Sequence, residues 1–328
     1  MRPPEHWHLR RSRPRRWPWA FLVAGAAVLL LGVLVVRLWP GGGEAEQPAQ
    51  VSNECFGGAD CAAPANTDFV ASSVAPPTIT GRAAAVIEAS CGELLYGHSA
   101  DLRLPPASLA KIATALVAVE HADLSRTVDV KVNSALLVAS SGSTVMGLQP
   151  GQQMTLRDLL YGLLLPSGND AAIAIAEAVG GSVAGFVQMM NNKAEELGLR
   201  NTHFTNPHGL DEPGLYASAY DMALLGRALL AEPELAAIVR TKNYQPSWSG
   251  PQVWNGNVFL DIYPNALGVK IGYTEDAGQT IVAAAEQDGR RLIVSVLGAW
   301  DRYSDAVGLL DWAFAETRPA CAGQTAAP

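Results

Sequence analysis

Basic residues are scarce in most of this chain. Residues 1–16 hold six arginines and one glutamate out of 23 basic and 31 acidic residues in total, which leaves 17 basic and 30 acidic residues, a formal balance of −13, for the rest. Nucleic-acid phosphates are bound by clustered lysine and arginine, which such an acidic body lacks. We therefore exclude nucleic acid as a partner.

Charge is absent altogether from Trp19 to Val36, an apolar run flanked by tryptophans. The run approaches the roughly 20 residues that cross a bilayer as a helix, and the arginines before it place the N-terminus in the cytoplasm. We expect a basic cytoplasmic segment over 1–16 and a transmembrane signal-anchor over 17–39, so that the protein is single-pass in the cell membrane. The alternative is a cleaved signal peptide and a secreted protein. On either interpretation the body is exported.

Cysteine is limited to four residues: Cys55, Cys61, Cys91 and Cys321. Two disulfides fit an exported chain, and four cysteines allow three pairings, which the sequence leaves open. No Cys-x-x-Cys pair occurs, and His203 and His208 do not have the spacing of zinc ligands on a helix. We therefore expect neither a metal nor a cofactor.

Composition divides the remainder into a flexible linker over 40–80, rich in Gly, Ala, Pro and Ser, a folded body over 81–316 and a short tail over 317–328. Strand-like patterns lie near both ends of the body, over 83–89, 93–96, 267–274, 280–286 and 291–297. Helical spacing lies between them and at the C-terminus, over 109–116, 156–165, 171–179, 186–197, 217–230 and 303–314. These patterns predict an α+β domain whose antiparallel sheet is built from both chain ends, with a helical lobe inserted between them.

The first motif with chemical meaning runs from Ser108 to Lys111. On a helix, residues three positions apart share a face, so the hydroxyl and the amine would be neighbours. A serine hydroxyl is a weak nucleophile until a base removes its proton, and a lysine whose pKa is lowered by burial or by another cation is such a base. The chain has only five lysines, and arginine cannot release its proton, so a lysine at 111 is informative. The alternative is a capping serine followed by a solvated lysine.

Two further segments carry polar groups. Ser167 and Asn169 lie at the break between two apolar helices and offer a hydroxyl and an amide, although an ordinary turn also favours these residues. Lys270 and Gly272 lie on the predicted strand 267–274. The lysine could attract a substrate carboxylate, and the glycine would let another backbone come close. The alternative for this segment is an edge strand with an exposed lysine.

In this order the three motifs resemble the Ser-x-x-Lys, Ser-x-Asn and Lys-Thr-Gly motifs of the penicillin-recognising serine acyl-transferases. Their flanks narrow the resemblance to the D-alanyl-D-alanine carboxypeptidase family, the low-molecular-mass penicillin-binding proteins, which are related to class A β-lactamases. The matching flanks are Pro106–Ser108, Leu164–Asp170, Asn206–Asp211 and Gly268–Gly278. The resemblance spans Arg82 to Phe314 and implies a β-lactamase/DD-peptidase-like fold.

The resemblance also implies a serine DD-carboxypeptidase that removes the terminal D-alanine from peptidoglycan pentapeptide stems through an acyl-enzyme. Ser108 would attack the carbonyl between two D-alanines, Lys111 would take its proton, and Ser167 would pass a proton to the departing D-alanine. Substrate binding, including an oxyanion hole of backbone N–H groups, would fall to Asn169, Lys270, Gly272 and Tyr273. β-Lactams would be covalent inhibitors.

The third motif departs from the family pattern, because Ile271 stands where the family has threonine. The threonine hydroxyl commonly binds the substrate carboxylate, and such a bond contributes roughly 1.5–3 kcal/mol. Thr274 is a doubtful substitute, because strand alternation places it with Lys270 on the face opposite Ile271. One alternative is a weakened or non-catalytic muropeptide binder, which Ile271 supports. Another is a DD-endopeptidase, which cuts after the same D-alanine. A class A β-lactamase is disfavoured, because no Glu-x-x-x-Asn stretch lies between Ser167 and Lys270.

Overall fold

The computed structural model describes residues 74–247, 250–319 and 321. Its main sheet has five antiparallel strands, which we name β1 (Ala83–Glu88), β2 (Leu94–His98), β7 (Ala266–Thr274), β8 (Gly278–Gln287) and β9 (Arg290–Ala299). Their order across the sheet is β2-β1-β9-β8-β7, and β1 pairs with β9 from Ala83↔Leu297 to Glu88↔Leu292. The predicted α+β fold, with a sheet assembled from both chain ends, is therefore confirmed.

The helical lobe lies between β2 and β7 in the chain. A single 3₁₀ turn (Ala107–Leu109) leads into α1 (Ala110–His121). The following helices are α2 (Ser134–Ser141), α3 (Leu156–Leu164), α4 (Asn169–Gly180), α5 (Val183–Glu196), α6 (Ala219–Ala231), α7 (Pro233–Arg240) and α8 (Phe259–Ile262). After the sheet, α9 (Arg302–Glu316) closes the body. Two small hairpins accompany them: β3 (Thr127–Asp129) with β4 (Gln153–Thr155), and β5 (Asn243–Tyr244) with β6 (Val253–Trp254). Side-chain oxygens of Thr155, Ser182 and Ser218 cap the first turns of α3, α5 and α6.

The main sheet is buried on both faces. Ile87 and Ile293 belong to the apolar cluster shared with the helical lobe, whereas Val86 and Val294 belong to the cluster shared with α9, which includes Leu310. Successive strand residues point to opposite faces, so β1, which is apolar from Ala83 to Ile87, supplies both clusters. Burial of each such side chain contributes roughly 1.5–3 kcal/mol.

The last residues of the predicted linker lie against α9. Trp312 Nε1 donates to the carbonyl of Val74 at 2.9 Å, and Thr80 Oγ1 donates to Asp305 at 2.8 Å. Residues 1–73, which include the predicted cytoplasmic segment and signal-anchor, are outside the described part of the chain. Among the described helices, no single one is long and apolar enough to cross a membrane, although α4 and α5 together pass that test as a pair bent by 87°.

A disulfide joins Cys91, in the turn between β1 and β2, to Cys321, beyond α9. The structure thus forms one of the possible disulfides, while Cys55 and Cys61 lie outside the described residues. Within the described ranges, one group of three potential metal ligands occurs, Cys91, Glu93 and Cys321, and its two cysteines are disulfide-bonded.

Candidate active site

Ser108 lies in the 3₁₀ turn that leads into α1. Two prolines precede this turn, and Ala107 adopts a left-handed conformation with φ 51°. Thr280 Oγ1, on β8, donates to the carbonyl of Pro106 at 3.1 Å and ties the turn to the sheet. Lys111 Nζ lies 2.9 Å from Ser108 Oγ. The turn and helix thus place the hydroxyl and the amine side by side, as their spacing in the sequence predicts.

Lys111 is fully buried, with 0% of its surface exposed. Its Nζ contacts three oxygens: Ser108 Oγ at 2.9 Å, Asn169 Oδ1 at 2.7 Å and the carbonyl of His208 at 2.7 Å. Burial, and then the positive charge of Lys270, hold the pKa of Lys111 well below its usual value, while Asp170 acts in the opposite direction. An amine in this state is able to accept the proton of a serine hydroxyl.

Asn169 begins α4 and links Lys111 to the segment after α2. Its Nδ2 donates to Ser143 Oγ at 3.0 Å, and its backbone N–H donates to the carbonyl of Thr144 at 2.8 Å. The neighbouring carboxylate of Asp170 is fully buried and accepts from the backbone N–H groups of Met146 and Leu148 at 2.9 and 3.0 Å. This pair of residues therefore holds the segment 143–148 beside the site, a role that the sequence analysis did not find.

Ser167 lies in the turn between α3 and α4 in a left-handed conformation, with φ 67°. Its Oγ is buried and makes no hydrogen bond to the described part of the protein. Lys270 Nζ donates to the carbonyl of Ile271 at 2.9 Å. Burial, and then the positive charge of Arg302, lower the pKa of Lys270 to about 7. The structure thus forms no hydrogen bond between Ser167 and Lys270.

Gly272 brings β7 against the backbone of Ser108. A Cβ built on Gly272 would lie 2.8 Å from the backbone nitrogen of Ser108 and 2.6 Å from Thr280 Oγ1, so any side chain would force the strand away. The Gly272 carbonyl accepts from Arg302 Nη1 at 2.5 Å, and the next residue, Tyr273, is exposed. The N–H of Ser108 and the end of β7 therefore meet where an oxyanion hole is expected. The sequence analysis missed Arg302 and Thr280, whose contacts to this site are made across the sheet.

Ile271 and Lys270 point to opposite faces of the sheet, as strand alternation predicts. Ile271 pairs with Ile281 and packs against the cluster under α9, whereas Lys270 pairs with Val282, which faces the helical lobe. Thr274 offers no replacement for the missing threonine. Its Oγ1 donates to Asp211 Oδ1 at 2.7 Å and accepts from the N–H of Ala277 at 3.1 Å, so its hydroxyl is already engaged.

Known proteins are similar to this chain in sequence and in fold. The family profile described as D-alanyl-D-alanine carboxypeptidase, Peptidase_S11, matches residues 70–301. The chain belongs to the D-alanyl-D-alanine carboxypeptidase family. The resemblance inferred from the three motifs and their flanks is thereby confirmed. The matched range contains the motif residues Ser108, Lys111, Ser167, Asn169 and Lys270.

Relatives in this family are similar over most of the chain. D-alanyl-D-alanine carboxypeptidase DacF of Bacillus subtilis is 39% identical over 247 residues, which cover 73% of this chain and 64% of the relative. DacC of Escherichia coli is 39% identical over 271 residues, which cover 76% of this chain and 65% of the relative. DacB2 of Mycobacterium tuberculosis is 38% identical and covered over 84% of its length. The chain thus spans just under two thirds of the first two relatives.

Solved structures confirm the DD-peptidase-like fold. A D-alanyl-D-alanine carboxypeptidase from Mycobacterium tuberculosis H37Rv superposes with a TM-score of 0.71 at 36% identity, over 76% of this chain and 97% of that chain. The Streptomyces K15 DD-transpeptidase superposes with a TM-score of 0.70 at 31% identity, over 74% of this chain and 100% of that one.

Proposed function

We propose that this protein is a serine DD-carboxypeptidase that removes the terminal D-alanine from peptidoglycan pentapeptide stems through an acyl-enzyme on Ser108. The observation that supports it most directly is the fully buried Lys111, whose Nζ lies 2.9 Å from Ser108 Oγ and whose pKa is lowered by burial and by Lys270. A lysine kept neutral next to a serine is the arrangement that activates a hydroxyl without histidine.

In the acylation step, Lys111 Nζ takes the proton of Ser108 Oγ, and Oγ bonds to the carbonyl carbon between the two D-alanines. The backbone N–H groups of Ser108 and Tyr273 stabilise the negative charge that develops on the carbonyl oxygen. The bond from that carbon to the nitrogen of the terminal D-alanine then breaks. Ser167 delivers to this nitrogen the proton that Lys111 received, and D-alanine departs.

In the deacylation step, a water molecule adds to the ester carbon and its proton returns to Ser108 Oγ as the ester bond breaks. The product is the stem peptide shortened by one residue. Lys270 supplies positive potential for the terminal carboxylate, and Asn169 holds the substrate and the base. A β-lactam acylates Ser108 through its own carbonyl as the C–N bond of its ring breaks, and the ring-opened acyl group is released slowly, so β-lactams are covalent inhibitors.

One feature of β7 favours a second candidate. Ile271 carries no hydroxyl, and that of Thr274 is engaged by Asp211. Both observations support weaker binding of a terminal carboxylate, and therefore a muropeptide binder with little turnover. A DD-endopeptidase, which cuts after the same D-alanine in a crosslink, uses the same serine and is distinguished by its substrate.

For the whole chain we propose a basic cytoplasmic segment over 1–16, a signal-anchor over 17–39, a linker over 40–80, a catalytic domain over 81–316 and a tail over 317–328. This arrangement places the catalytic domain outside the cytoplasmic membrane, where peptidoglycan stem peptides are found. The acidic body and the apolar run from Trp19 to Val36 support it.

The experiment that tests the proposed activity measures D-alanine release from a muramyl pentapeptide by the full-length chain. We expect release by the wild type and by Ser125→Ala, which changes an exposed serine beyond the C-terminal end of α1, and none by Ser108→Ala. Circular dichroism verifies that all three proteins are folded. If the wild type cuts a crosslinked muropeptide dimer and not the pentapeptide, the protein is a DD-endopeptidase. If the folded wild type cuts neither, the protein is a muropeptide binder.

A further inference from the structure

The loop Asn206–Asp211 is one of the sequence segments that resemble the family, and the proposed reaction gives it no role. In the structure two consecutive carbonyls of this loop face α1. The carbonyl of Pro207 accepts from Thr114 Oγ1 at 2.6 Å, and the carbonyl of His208 accepts from Lys111 Nζ at 2.7 Å. Thr114 and Lys111 are both fully buried. The loop therefore contributes one of the three oxygens that surround the amine.

The three oxygens around Lys111 Nζ determine where its hydrogens and its lone pair point. An ammonium has three N–H donors and can satisfy all three oxygens, whereas a neutral amine has two N–H donors and one lone pair. Asn169 Oδ1 and the His208 carbonyl only accept. In the neutral amine these two oxygens take both hydrogens, so the lone pair is directed at Ser108 Oγ, whose hydroxyl is the one of these three described partners that is able to donate. Each of the two acceptors thus orients the base.

Asn206 fixes the peptide that carries this carbonyl. Its Oδ1 accepts from the N–H of Gly209 at 2.7 Å and from the N–H of His208 at 3.3 Å, and its Nδ2 donates to the carbonyl of Leu210 at 3.0 Å and to Glu212 at 2.8 Å. The side chain of Asn206 is buried. Gly209 permits the tight path: its φ is +87°, and a Cβ there would lie 1.9 Å from the carbonyl oxygen of Ala107.

We propose that Asn206 is a positioning residue for the general base. By holding the His208 peptide, it keeps the His208 carbonyl oxygen hydrogen-bonded to Lys111 Nζ, so that the lone pair of the amine points at Ser108 Oγ. The catalytic part of this inference rests on the proposed function, whereas its structural part concerns the protonation of Lys111 alone. Asn206 contacts neither Ser108 nor Lys111, so it acts through the His208 carbonyl.

The charged and titratable groups that face Lys111 come from three elements: Lys270 on β7, Asp170 on α4 and the ring of His208 in the loop. Burial and the charge of Lys111 lower the pKa of His208 to about 4, so this ring is neutral near pH 7. Asn206 is uncharged, and its replacement by alanine leaves these groups in place. A carbonyl oxygen stabilises an ammonium more than an amine, so withdrawing it lowers the pKa of Lys111.

The first readout needs no activity. The full-length chain is labelled with ¹³C at the Cε of lysine, which gives five signals because there are five lysines, and Lys111→Arg identifies the signal of Lys111. We expect its titration midpoint to fall in Asn206→Ala and to keep its wild-type value in Asn191→Ala. Asn191 is the matched control, because its side chain makes similar bonds to the backbone of Phe204, two residues before Asn206. An unchanged or higher midpoint in Asn206→Ala would overturn the proposal.

Asn206→Ser tests the same point with a smaller disturbance, since serine keeps an acceptor for the turn on a shorter side chain. We expect its midpoint between those of the wild type and Asn206→Ala. If Asn206→Ala does not fold, Asn206→Ser decides alone: a midpoint below the wild type supports the positioning role, and the wild-type midpoint contradicts it.

The second readout is the pH profile of acylation by a fluorescent penicillin. We expect Asn206→Ala to lower the plateau rate by about tenfold or more, and its acid limb to move to lower pH together with the midpoint of Lys111. Asn191→Ala should lose thermal stability and keep the wild-type profile. A wild type that is never acylated rejects the proposed function, while the lysine titration still decides the role of Asn206. If Asn206→Ala loses stability but keeps the plateau rate and the acid limb of the wild-type pH profile, the positioning role is rejected.

Discussion

At the scale of single residues, the candidate site contains two buried lysines. Lys111 and Lys270 are 0% and 1% exposed, and burial is the first cause of the lowered pKa of each. Under the proposed function, each therefore serves a purpose that an exposed lysine could not. A neutral Lys111 is a base, and a Lys270 whose pKa is about 7 gains a full charge when a carboxylate binds next to it.

The lowered pKa of Lys270 predicts a pH-dependent stability. The folded protein releases this proton near pH 7, and the unfolded chain releases it near pH 10.5. Between these values the unfolded state binds more protons, so the contribution of Lys270 to the free energy of unfolding rises with pH; below pH 7 both states are protonated and the full penalty applies. Between about pH 6.5 and about pH 9.5, we expect urea unfolding of the wild type to gain a few kcal/mol relative to Lys270→Met. Parallel pH curves for the two proteins would contradict this, and Lys131→Met, at an exposed lysine, is the control.

The departure at Ile271 predicts a gain of function. Ile271→Thr restores the hydroxyl that the family uses to bind a carboxylate, and we expect acylation by a carboxylate-bearing β-lactam to accelerate roughly ten- to a hundredfold. Ile271→Val, which stays apolar, should keep the wild-type rate. The measurement is the second-order rate of labelling; equal rates for the threonine and valine variants would show that position 271 does not reach the carboxylate.

At the scale of elements, β7 is the strand that brings the third motif to Ser108, the proposed nucleophile. Its approach depends on Gly272, where a Cβ would lie 2.8 Å from the backbone nitrogen of Ser108. We expect Gly272→Ala to displace the strand and to slow acylation about a hundredfold. Gly256→Ala is the matched control, because a Cβ there meets no atom closer than 3.9 Å. Wild-type labelling by Gly272→Ala would show that β7 does not form the oxyanion hole.

The elements also separate what the sequence predicts from what it does not. The helix after Ser108 and the strand around Lys270 follow from local periodicity and were predicted near their observed positions. The helix α7 was missed, although Pro233 at its first position is a recognised start signal. The contacts of Lys111 with His208 and of Asn169 with Ser143 join residues 97 and 26 positions apart. No local pattern encodes such pairs, so they needed the folded chain.

At the scale of the whole molecule, the two chain ends that build the sheet are also joined covalently. Cys91 and Cys321 are 230 positions apart, and Arg290 binds both Glu88, at 2.9 Å, and the carbonyl of Thr317, at 2.8 Å. The chain after α9 is thus fastened to the end of the sheet where β1 and β9 meet.

Loss of the disulfide should lower stability and leave the site intact. We expect Cys91→Ser combined with Cys321→Ser to lower the free energy of unfolding by roughly 2–4 kcal/mol, because the bond limits the freedom of the unfolded chain. Urea unfolding with and without reductant checks this: the wild type should respond to reductant, whereas the double variant should show no further loss at this bond. A double variant as stable as the oxidised wild type would contradict a stabilising role.

The central claim is that Ser108 forms a covalent acyl-enzyme. Incubation of the full-length chain with fluorescent penicillin, followed by intact mass and peptide mapping, tests it most directly. The account predicts one adduct, located on the peptide that contains Ser108, and no adduct in a folded Ser108→Ala variant. A folded wild type without an adduct, or labelling that persists in Ser108→Ala, would contradict it.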